Sequence, residues 1–521
     1  MAVISLIWSA SQLVTAQSVI PARRPTGSSG YALPLAGHWN TGETPEGFTP
    51  KYQMRLLADG RHILPWFQMP SLDASTKNPY WIDYYEPAIR NAARLRLPIS
   101  FIGTQWEIWL SSNKEYLELP LAENPNVVSP AGQLQHVVSP FGGVSAWHAV
   151  GKRWTQTAWI KRLQEIYPDP PYVLFISNNE HPKLEWPQVE TDARYLSLHG
   201  KGRDDDFKRQ VTSEGWIERY RALQEGLRDG LADEPWQRRA RFLAYNAVGP
   251  SHFARWEGWK EYSLYVPGRI DPWALAWGGG SAPYYVFNWS ATTDFTVHSP
   301  QIEAMNWVFM HEEARRLNPE FIFELSTWDG HEPEAANDKW KYYQQLGQQF
   351  SPERYAGYIK FGLWLMRPPL VREFRAYRAS VSDFEKYFAP VLSAVDRIYR
   401  NALLREFWQK GQLVPNRAAV HPYQVDVPRE YQTVDRWYLL NTSLDPPRPW
   451  RLNTALPVFS LALVQGQAPR RKWLVYAHAP LYAQAEVSVT IPDYRPVTIQ
   501  APIEGAFFLV DERRGQVTEL K

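Results

Sequence analysis

The sequence contains no cysteine among its 521 residues. This absence excludes disulfide bonds, thiol nucleophiles and cysteine-ligated zinc. A strong charge of one sign is also missing, because 56 Lys and Arg nearly balance 54 Asp and Glu. Such a chain lacks the positive field that draws nucleic acid or anionic membranes to a protein. We therefore expect a neutral partner and no nucleic acid.

Long apolar runs are missing as well. No stretch approaches the roughly 18 uninterrupted apolar residues of a membrane-spanning helix, so we expect no membrane partner. Residues 1–16 resemble a secretory signal peptide with small residues near Ala16, although no Lys or Arg precedes the apolar stretch. We interpret residues 1–16 as a signal peptide and expect a secreted or periplasmic protein.

Aromatic residues are abundant, with 25 Trp, 28 Tyr and 22 Phe. Their flat apolar faces fill cores and also stack on the C–H surfaces of sugars. The tryptophan content favours a carbohydrate partner, with large cores as the alternative explanation.

Short apolar runs alternate with longer amphipathic stretches, which is the pattern of repeated βα units. The predicted strands are residues 33–39, 62–68, 99–107, 172–180, 241–246, 284–289, 321–324 and 358–366. Helices are predicted at 216–231, 301–317 and 371–408. We predict an α/β fold, a (β/α)8 TIM barrel over residues 31–425. Short alternating runs separated by Pro, Gly and Asp then predict an all-β sandwich at 430–521, expected to brace the barrel.

Two of the predicted strands end in a glutamate. One is the run that ends at Glu180, and the other is the run that ends at Glu324. The carboxyl ends of barrel strands carry catalytic groups, and glycoside hydrolysis needs one protonated and one ionised carboxyl group. Strands four and seven lie on opposite sides of a barrel mouth, so the two glutamates can face each other. The alternative is that Glu180 opens a polar loop and Glu324 is a salt-bridged strand end.

Asn179-Glu180 after strand four and Glu324 on strand seven resemble the signature of the clan A retaining glycoside hydrolases, over residues 31–410. The resemblance implies that Glu180 is the acid/base, that Glu324 is the nucleophile and that Asn179 binds the sugar 2-hydroxyl. It also implies that Trp364, on the predicted eighth strand, floors the −1 subsite. No cofactor or metal is then required.

The chain departs from that pattern in two places. Many clan members carry a tyrosine near the end of strand six, whereas here Tyr285 lies early in that segment and Trp289 lies nearer its end. The arginine that several families carry at the top of strand two has no counterpart, because Arg61 stands at the other end. The family within the clan is therefore not identified.

Other polar and aromatic residues near strand ends are candidate substrate contacts, with capping or packing as the alternative for each. They are His38, Trp39, Gln105, Trp106, Glu107, Asn246, His252, Tyr285, Trp289 and Trp328.

The sequence thus predicts a retaining glycoside hydrolase that cleaves β-glycosidic bonds of a polysaccharide or oligosaccharide. One alternative is a catalytically inactive carbohydrate-binding barrel. Within the enzyme class, an exo-acting β-galactosidase type competes with an endo-glycanase. The sugar, the linkage and the oligomeric state stay open.

Overall fold

The computed structural model describes residues 33–38, 62–69, 76–77, 81–103, 106–177, 183–245, 275–285, 314–315, 317–328, 351–374, 381–414, 459–480, 483–491 and 494–521. The predicted signal peptide at 1–16, most of the predicted helix at 301–317 and residues 430–458 of the predicted sandwich lie outside these ranges.

Eight strands of the described residues form one parallel sheet, and two more form an antiparallel hairpin. The sheet strands are β1 (Leu35–His38), β2 (Trp66–Gln68), β3 (Ile99–Gly103), β6 (Val173–Ser177), β7 (Ala240–Tyr245), β8 (Gly279–Tyr285), β9 (Ile322–Trp328) and β10 (Leu370–Glu373); the hairpin strands are β4 (Asn126–Val128) and β5 (Leu134–Val138).

The sheet strands follow one another in chain order, β2-β3-β6-β7-β8-β9-β10-β1, so the first strand lies beside the last. The two edges also approach each other, through a parallel bridge between Ala36 and Ile63. The Ala36 N–H donates to the His62 carbonyl at 3.0 Å, and the Leu64 N–H donates to the Ala36 carbonyl at 2.7 Å. The sheet therefore curls back on its first strand, as a barrel sheet does.

Helices separate the strands: α1 (Glu86–Leu95), α2 (Trp106–Ser112), α3 (Lys114–Leu117), α4 (Ser145–Thr155), α5 (Ala158–Ile166), α6 (Ala193–His199), α7 (Asp205–Gly230), α8 (Glu234–Arg239), α9 (Pro352–Met366), α10 (Val381–Arg400) and α11 (Ala402–Lys410). A π-helical turn at Trp81–Tyr85 precedes α1, and a 3-10 turn at Trp186–Thr191 precedes α6. No helix of the described residues is both long and apolar enough to cross a membrane.

The predicted eighth strand at 358–366 is wrong, because these residues lie in α9 and the eighth strand is β10. Helix α9 is buried over nearly its whole length, so its sequence lacks the alternation of apolar and polar residues that identifies a surface helix. The residues at the start of α9 are nevertheless typical of a helix N-terminus. The Ser351 hydroxyl accepts a hydrogen bond from the Arg354 N–H at 3.1 Å, and Pro352 lies in the first turn.

Other boundaries also differ from the prediction. Strand β3 ends at Gly103, and Trp106–Ser112 is helical. Strand β8 begins five residues earlier than predicted, and β9 continues to Trp328. The predicted helix at 371–408 contains β10, α10 and α11. These shifts matter because they change which side chains stand at the carboxyl ends of the strands.

A row of phenylalanines marks the outer face of the sheet. Phe67, Phe101, Phe175 and Phe242 occupy paired positions on β2, β3, β6 and β7. Neighbouring ring centroids are 5.4, 5.3 and 5.6 Å apart. Phe101 also lies 6.3 Å from the ring of Trp236 on α8, which places this row against the helical layer. Because side chains alternate along a strand, the residues directly before and after each of these phenylalanines face the sheet interior.

The C-terminal part of the chain forms antiparallel sheets. One has five strands: β11 (Gln412–Leu413), β12 (Phe459–Gln465), β13 (Lys472–His478), β16 (Ala506–Asp511) and β17 (Gln516–Leu520); the other has two: β14 (Gln484–Thr490) and β15 (Pro496–Pro502). The two sheets share a separate apolar cluster that includes Val475 and Ile499. The ammonium of Lys360 on α9 donates to the Glu504 carbonyl at 2.7 Å, which ties this part to the helical layer.

Candidate active site

Glu324 is the third of the seven residues of β9, and its side chain is fully buried. Its Oε1 accepts a hydrogen bond from the Ser281 hydroxyl of β8 at 2.8 Å. The prediction that strand seven ends at Glu324 is wrong, because Ser326 and Trp328 follow on the same face of β9. The carboxylate therefore lies inside the curled sheet, below its carboxyl edge.

Arg372 of β10 holds both oxygens of this carboxylate. Its Nε donates to Oε1 of Glu324 at 2.7 Å, and its Nη2 donates to Oε2 at 2.9 Å. The same guanidinium donates to the Ser100 hydroxyl and to the His38 carbonyl, each at 2.9 Å. Bidentate pairs between a guanidinium and a carboxylate are among the strong hydrogen-bonded contacts in proteins. The interior of the sheet thus contains an ion pair in which every nitrogen of the Arg372 guanidinium already donates a hydrogen bond.

Aromatic rings lie at the carboxyl edge above this pair. The ring centroid of Phe374, the residue after β10, is 5.9 Å from that of Tyr245 and 5.8 Å from that of Trp328. Trp328 is only 4% exposed and Tyr245 only 1%. Trp328, a candidate substrate contact, is thus packed among these rings rather than presented to solvent.

His38 faces away from the Glu324–Arg372 pair. Its Nε2 lies 3.4 Å from Glu373 Oε2, and both side chains are buried. Its ring meets Phe388 of α10 edge-on, with centroids 5.8 Å apart. His38 therefore lies between the sheet and the helical layer, which fits the packing alternative for this residue rather than a substrate contact.

The prediction that Trp364 floors a sugar subsite is also wrong. It lies on α9, is 1% exposed, and packs against Trp408 of α11 and Phe507 of β16, with centroids 5.3 and 5.1 Å away. A side chain that joins the helical layer to the C-terminal sheet does not floor a sugar subsite.

Glu107 follows the end of β3 by four residues, in the first turn of α2 beside the buried Trp106. Its Oε1 accepts a hydrogen bond from the Tyr220 hydroxyl of α7 at 3.4 Å, and the Lys183 ammonium lies 3.5 Å from that hydroxyl. Burial raises the pKa of Glu107 to about 7, against the opposing effect of the Lys183 charge. Glu107 has no solvent exposure.

This pKa gives a testable pH dependence. Below the ordinary pKa of 4.5, Glu107 is protonated in both the folded and the unfolded chain. Above about 7 it is ionised in both, and the buried charge then destabilises the folded state. Its contribution to stability is therefore lost as pH rises from 4.5 to about 7. We expect Glu107→Gln to gain roughly 3 kcal/mol of unfolding free energy relative to wild type across this range. Denaturant titrations at both ends check it, and parallel pH profiles would refute it.

Seven predicted site residues lie outside the described residues: Trp39, Gln105, Asn179, Glu180, Asn246, His252 and Trp289. Tyr285 is the last residue of β8. In the sequence, Glu180 is three residues from Ser177, the last residue of β6, and three from Lys183.

Sequence reasoning missed Arg372, Lys183 and Tyr220. Arg372 fell within the predicted helix at 371–408, and Tyr220 within the helix predicted at 216–231. The sequence indicated Lys183 only weakly, through its position three residues after Glu180. Among the described residues, no group of three or more potential metal ligands is present.

No protein-family model and no curated protein matches the sequence. Solved structures do align with the chain. Bee venom hyaluronidase with a hyaluronic acid tetramer has 9% identity and a TM-score of 0.32, over 72% of this chain and 99% of that one. AmyP with maltose has 11% identity and a TM-score of 0.39, over 92% and 96%. A GH36 α-galactosidase AgaA variant from Geobacillus stearothermophilus with stachyose has 10% identity and a TM-score of 0.39, over 94% and 55%. At these TM-scores the alignments carry no functional argument.

Proposed function

We propose that this protein is a glycoside hydrolase built on a complete (β/α)8 barrel, with its reaction centre at the carboxyl edge of the parallel sheet. One observation carries the proposal: the eight strands follow one another in chain order around a sheet that returns to its first strand. In such a sheet the carboxyl ends of β6 and β9 belong to one rim, where barrel enzymes carry their catalytic groups. Glu180 follows β6 by three residues.

In the proposed reaction, Glu180 is the general acid. It donates its proton to the glycosidic oxygen as the bond from that oxygen to the anomeric carbon breaks. In a retaining reaction, the carboxylate of Glu324 forms the new bond to the anomeric carbon. Water then gives its proton to Glu180 and its oxygen to the sugar, which releases Glu324. Asn179 would bind the 2-hydroxyl in this scheme.

The Arg372 contact bears on this scheme in two ways. It places a positive charge beside Glu324, the proposed nucleophile. It also engages both oxygens, and Ser326 and Trp328 separate the carboxylate from the carboxyl edge. This second aspect favours the other candidate function, a barrel that binds carbohydrate without cleaving it and in which Glu324 is a structural ion pair. As part of the enzyme proposal, the protein is secreted, acts on β-glycosidic bonds and degrades a polysaccharide.

The experiment that separates the two roles of Glu324 changes both partners of the ion pair. Glu324→Gln alone removes the carboxylate from a buried ion pair, so a loss of turnover could reflect misfolding. The double variant Glu324→Gln/Arg372→Gln removes both charges of this ion pair.

If Glu324 is the nucleophile, the double variant regains most of its stability but stays inactive on a glycan that wild type hydrolyses. Turnover near wild type in the refolded double variant would assign Glu324 to the structure alone. Circular dichroism and denaturant titration report the fold, and reducing-sugar release reports turnover.

A further inference from the structure

Three turns of the C-terminal sheets lie side by side. They join β12 to β13, β14 to β15 and β16 to β17. The Glu512 N–H donates to the Arg471 carbonyl at 3.0 Å, which ties the third turn to the first. The Arg495 Nη2 donates to the Gly515 carbonyl at 2.8 Å, which ties the second turn to the third. The three turns therefore form one continuous edge of this part of the protein.

This edge has an excess of positive charge, although the whole chain has a formal net charge of only +2. In the sequence of the turns and the strand ends beside them, six basic residues stand against three acidic ones: Arg470, Arg471, Lys472, Arg495, Arg513 and Arg514 against Asp493, Asp511 and Glu512. Arg471 neutralises Glu512, since its Nε and Nη2 donate to the two carboxylate oxygens at 3.1 and 2.8 Å. The other five basic side chains are exposed, and none of them forms an ion pair within the part of the chain that the structure describes. We call the six basic side chains the basic edge.

Stacking orders part of the basic edge. The Arg471 guanidinium lies 4.7 Å from the centre of the Trp473 ring. The Trp473 ring stacks on that of Tyr494, with centroids 4.4 Å apart. The Arg495 guanidinium lies 5.3 Å from the centre of the Tyr494 ring. Such contacts restrict the guanidinium groups, so binding to them costs less conformational entropy than binding to freely rotating side chains.

The basic edge is long enough to contact several anionic groups of one polymer. Strands β12, β13, β16 and β17 are neighbours in that order. Because neighbouring strands lie about 4.8 Å apart, the edge extends over roughly 14 Å. Guanidinium groups bind planar anions such as carboxylates through two parallel hydrogen bonds, and an ammonium binds anions as a point charge.

The aromatic rings beside the basic edge favour a polysaccharide over a nucleic acid. Proteins that bind single-stranded nucleic acids present aromatic side chains on which the bases stack. Trp473 is only 1% exposed, and the Tyr494 ring is in contact with both Trp473 and Arg495. These rings are therefore used within the protein rather than presented to a base.

We propose that the basic edge binds an anionic polysaccharide, one whose sugars carry carboxylate or sulfate groups. The choice of a polysaccharide among anionic polymers rests on the proposed glycosidase function. The C-terminal sheets then do more than brace the barrel. They tether the polymer to the protein, which raises its effective concentration at the barrel.

Binding measured without turnover tests the basic edge. Fluorescence anisotropy at about 0.1 M salt compares labelled dextran sulfate, which carries sulfate groups, labelled alginate, which carries carboxylates, and labelled neutral dextran. We expect wild type to bind at least one of the two anionic glycans and not dextran, with an affinity that falls as salt screens the charges. Binding of dextran sulfate alone identifies sulfate as the ligand group, and binding of alginate alone identifies carboxylate. Binding of neither, or equal binding of dextran, would overturn the proposal.

A charge-matched pair of variants tests the position of the site. The first changes three exposed arginines of the basic edge: Arg470→Gln/Arg513→Gln/Arg514→Gln. The second removes the same charge from exposed arginines of α1 and α8: Arg90→Gln/Arg94→Gln/Arg238→Gln. We expect the first to weaken binding at least about 10-fold and the second less than about twofold, with both proteins folded by circular dichroism. Equal losses would show that binding follows net charge alone and would overturn the assignment to this edge.

Two further measurements separate this proposal from its alternatives. A labelled single-stranded DNA of matched charge should bind at least about 10-fold more weakly than the better anionic glycan, and tighter binding of the DNA would overturn the choice of a polysaccharide. Reducing-sugar release is measured separately. Sugar release by a wild type that binds neither anionic glycan would overturn the binding edge alone. Binding that the first variant loses, in a wild type that releases no sugar, would support the edge and overturn the glycosidase function.

Discussion

Replacing Arg372 by glutamine is expected to lower the free energy of unfolding by about 3–5 kcal/mol, the usual cost of leaving one partner of a buried ion pair unpaired. Glu324 is fully buried, and Arg372 donates to both of its oxygens. The substitution leaves the carboxylate with the Ser281 hydroxyl as its one remaining described donor. It also removes a donor from Ser100 and from the His38 carbonyl. Denaturant titration of the two proteins measures the loss.

The control is the double variant Glu324→Gln/Arg372→Gln. Because it removes both charges, we expect it to recover most of the loss, as neutral replacements of buried ion pairs commonly do. A matched surface pair is Arg238→Gln, whose partner Glu234 is 67% exposed. That change should cost less than about 1 kcal/mol. If Arg372→Gln costs no more than Arg238→Gln, the interior ion pair does not stabilise the sheet.

Replacing Glu180 by glutamine is expected to lower kcat on the natural glycan by about 100-fold to 10,000-fold, the usual contribution of a general acid. The amide cannot donate the proton that the departing sugar oxygen needs. The deficit should shrink on an aryl glycoside whose leaving group departs without protonation. Steady-state rates on both substrates measure this contrast.

The control for Glu180 is Glu165→Gln on α5, a carboxylate that is 64% exposed and pairs only locally with Arg162 among the described residues. Its turnover should match wild type. An equal loss for Glu180→Gln on both substrates would argue against acid catalysis, and an unchanged rate would remove Glu180 from the reaction.

The repeated βα pattern predicted the parallel sheet well. Buried strands such as Val173–Ser177 read as continuous β-branched and aromatic runs between turn residues, and that local signal predicted six of the eight strands at nearly the correct place. The eighth strand failed because the fully buried α9 is as apolar as a strand, while β10 contains an arginine and a glutamate. Their burial depends on partners from other strands.

The candidate site shows the same limit. A glutamate on strand seven was predictable, and so was its alternative reading as a salt-bridged residue. Its partner was not, because Arg372 lies 48 residues away on the neighbouring strand. The Glu107–Tyr220 contact spans 113 residues. Such pairings arise only from the closure of the fold, which no local pattern of residues encodes.

Reducing-sugar release from a panel of galactans, mannans, xylans and glucans, by wild type and by Glu180→Gln, tests whether this protein is a glycoside hydrolase with Glu180 as its acid. We predict product from wild type and at least about 100-fold less from the variant, with both proteins equally folded. Tight glycan binding by wild type without product would contradict the enzyme proposal and favour a carbohydrate-binding barrel. Equal release by the two proteins would contradict the assignment of Glu180 as the acid.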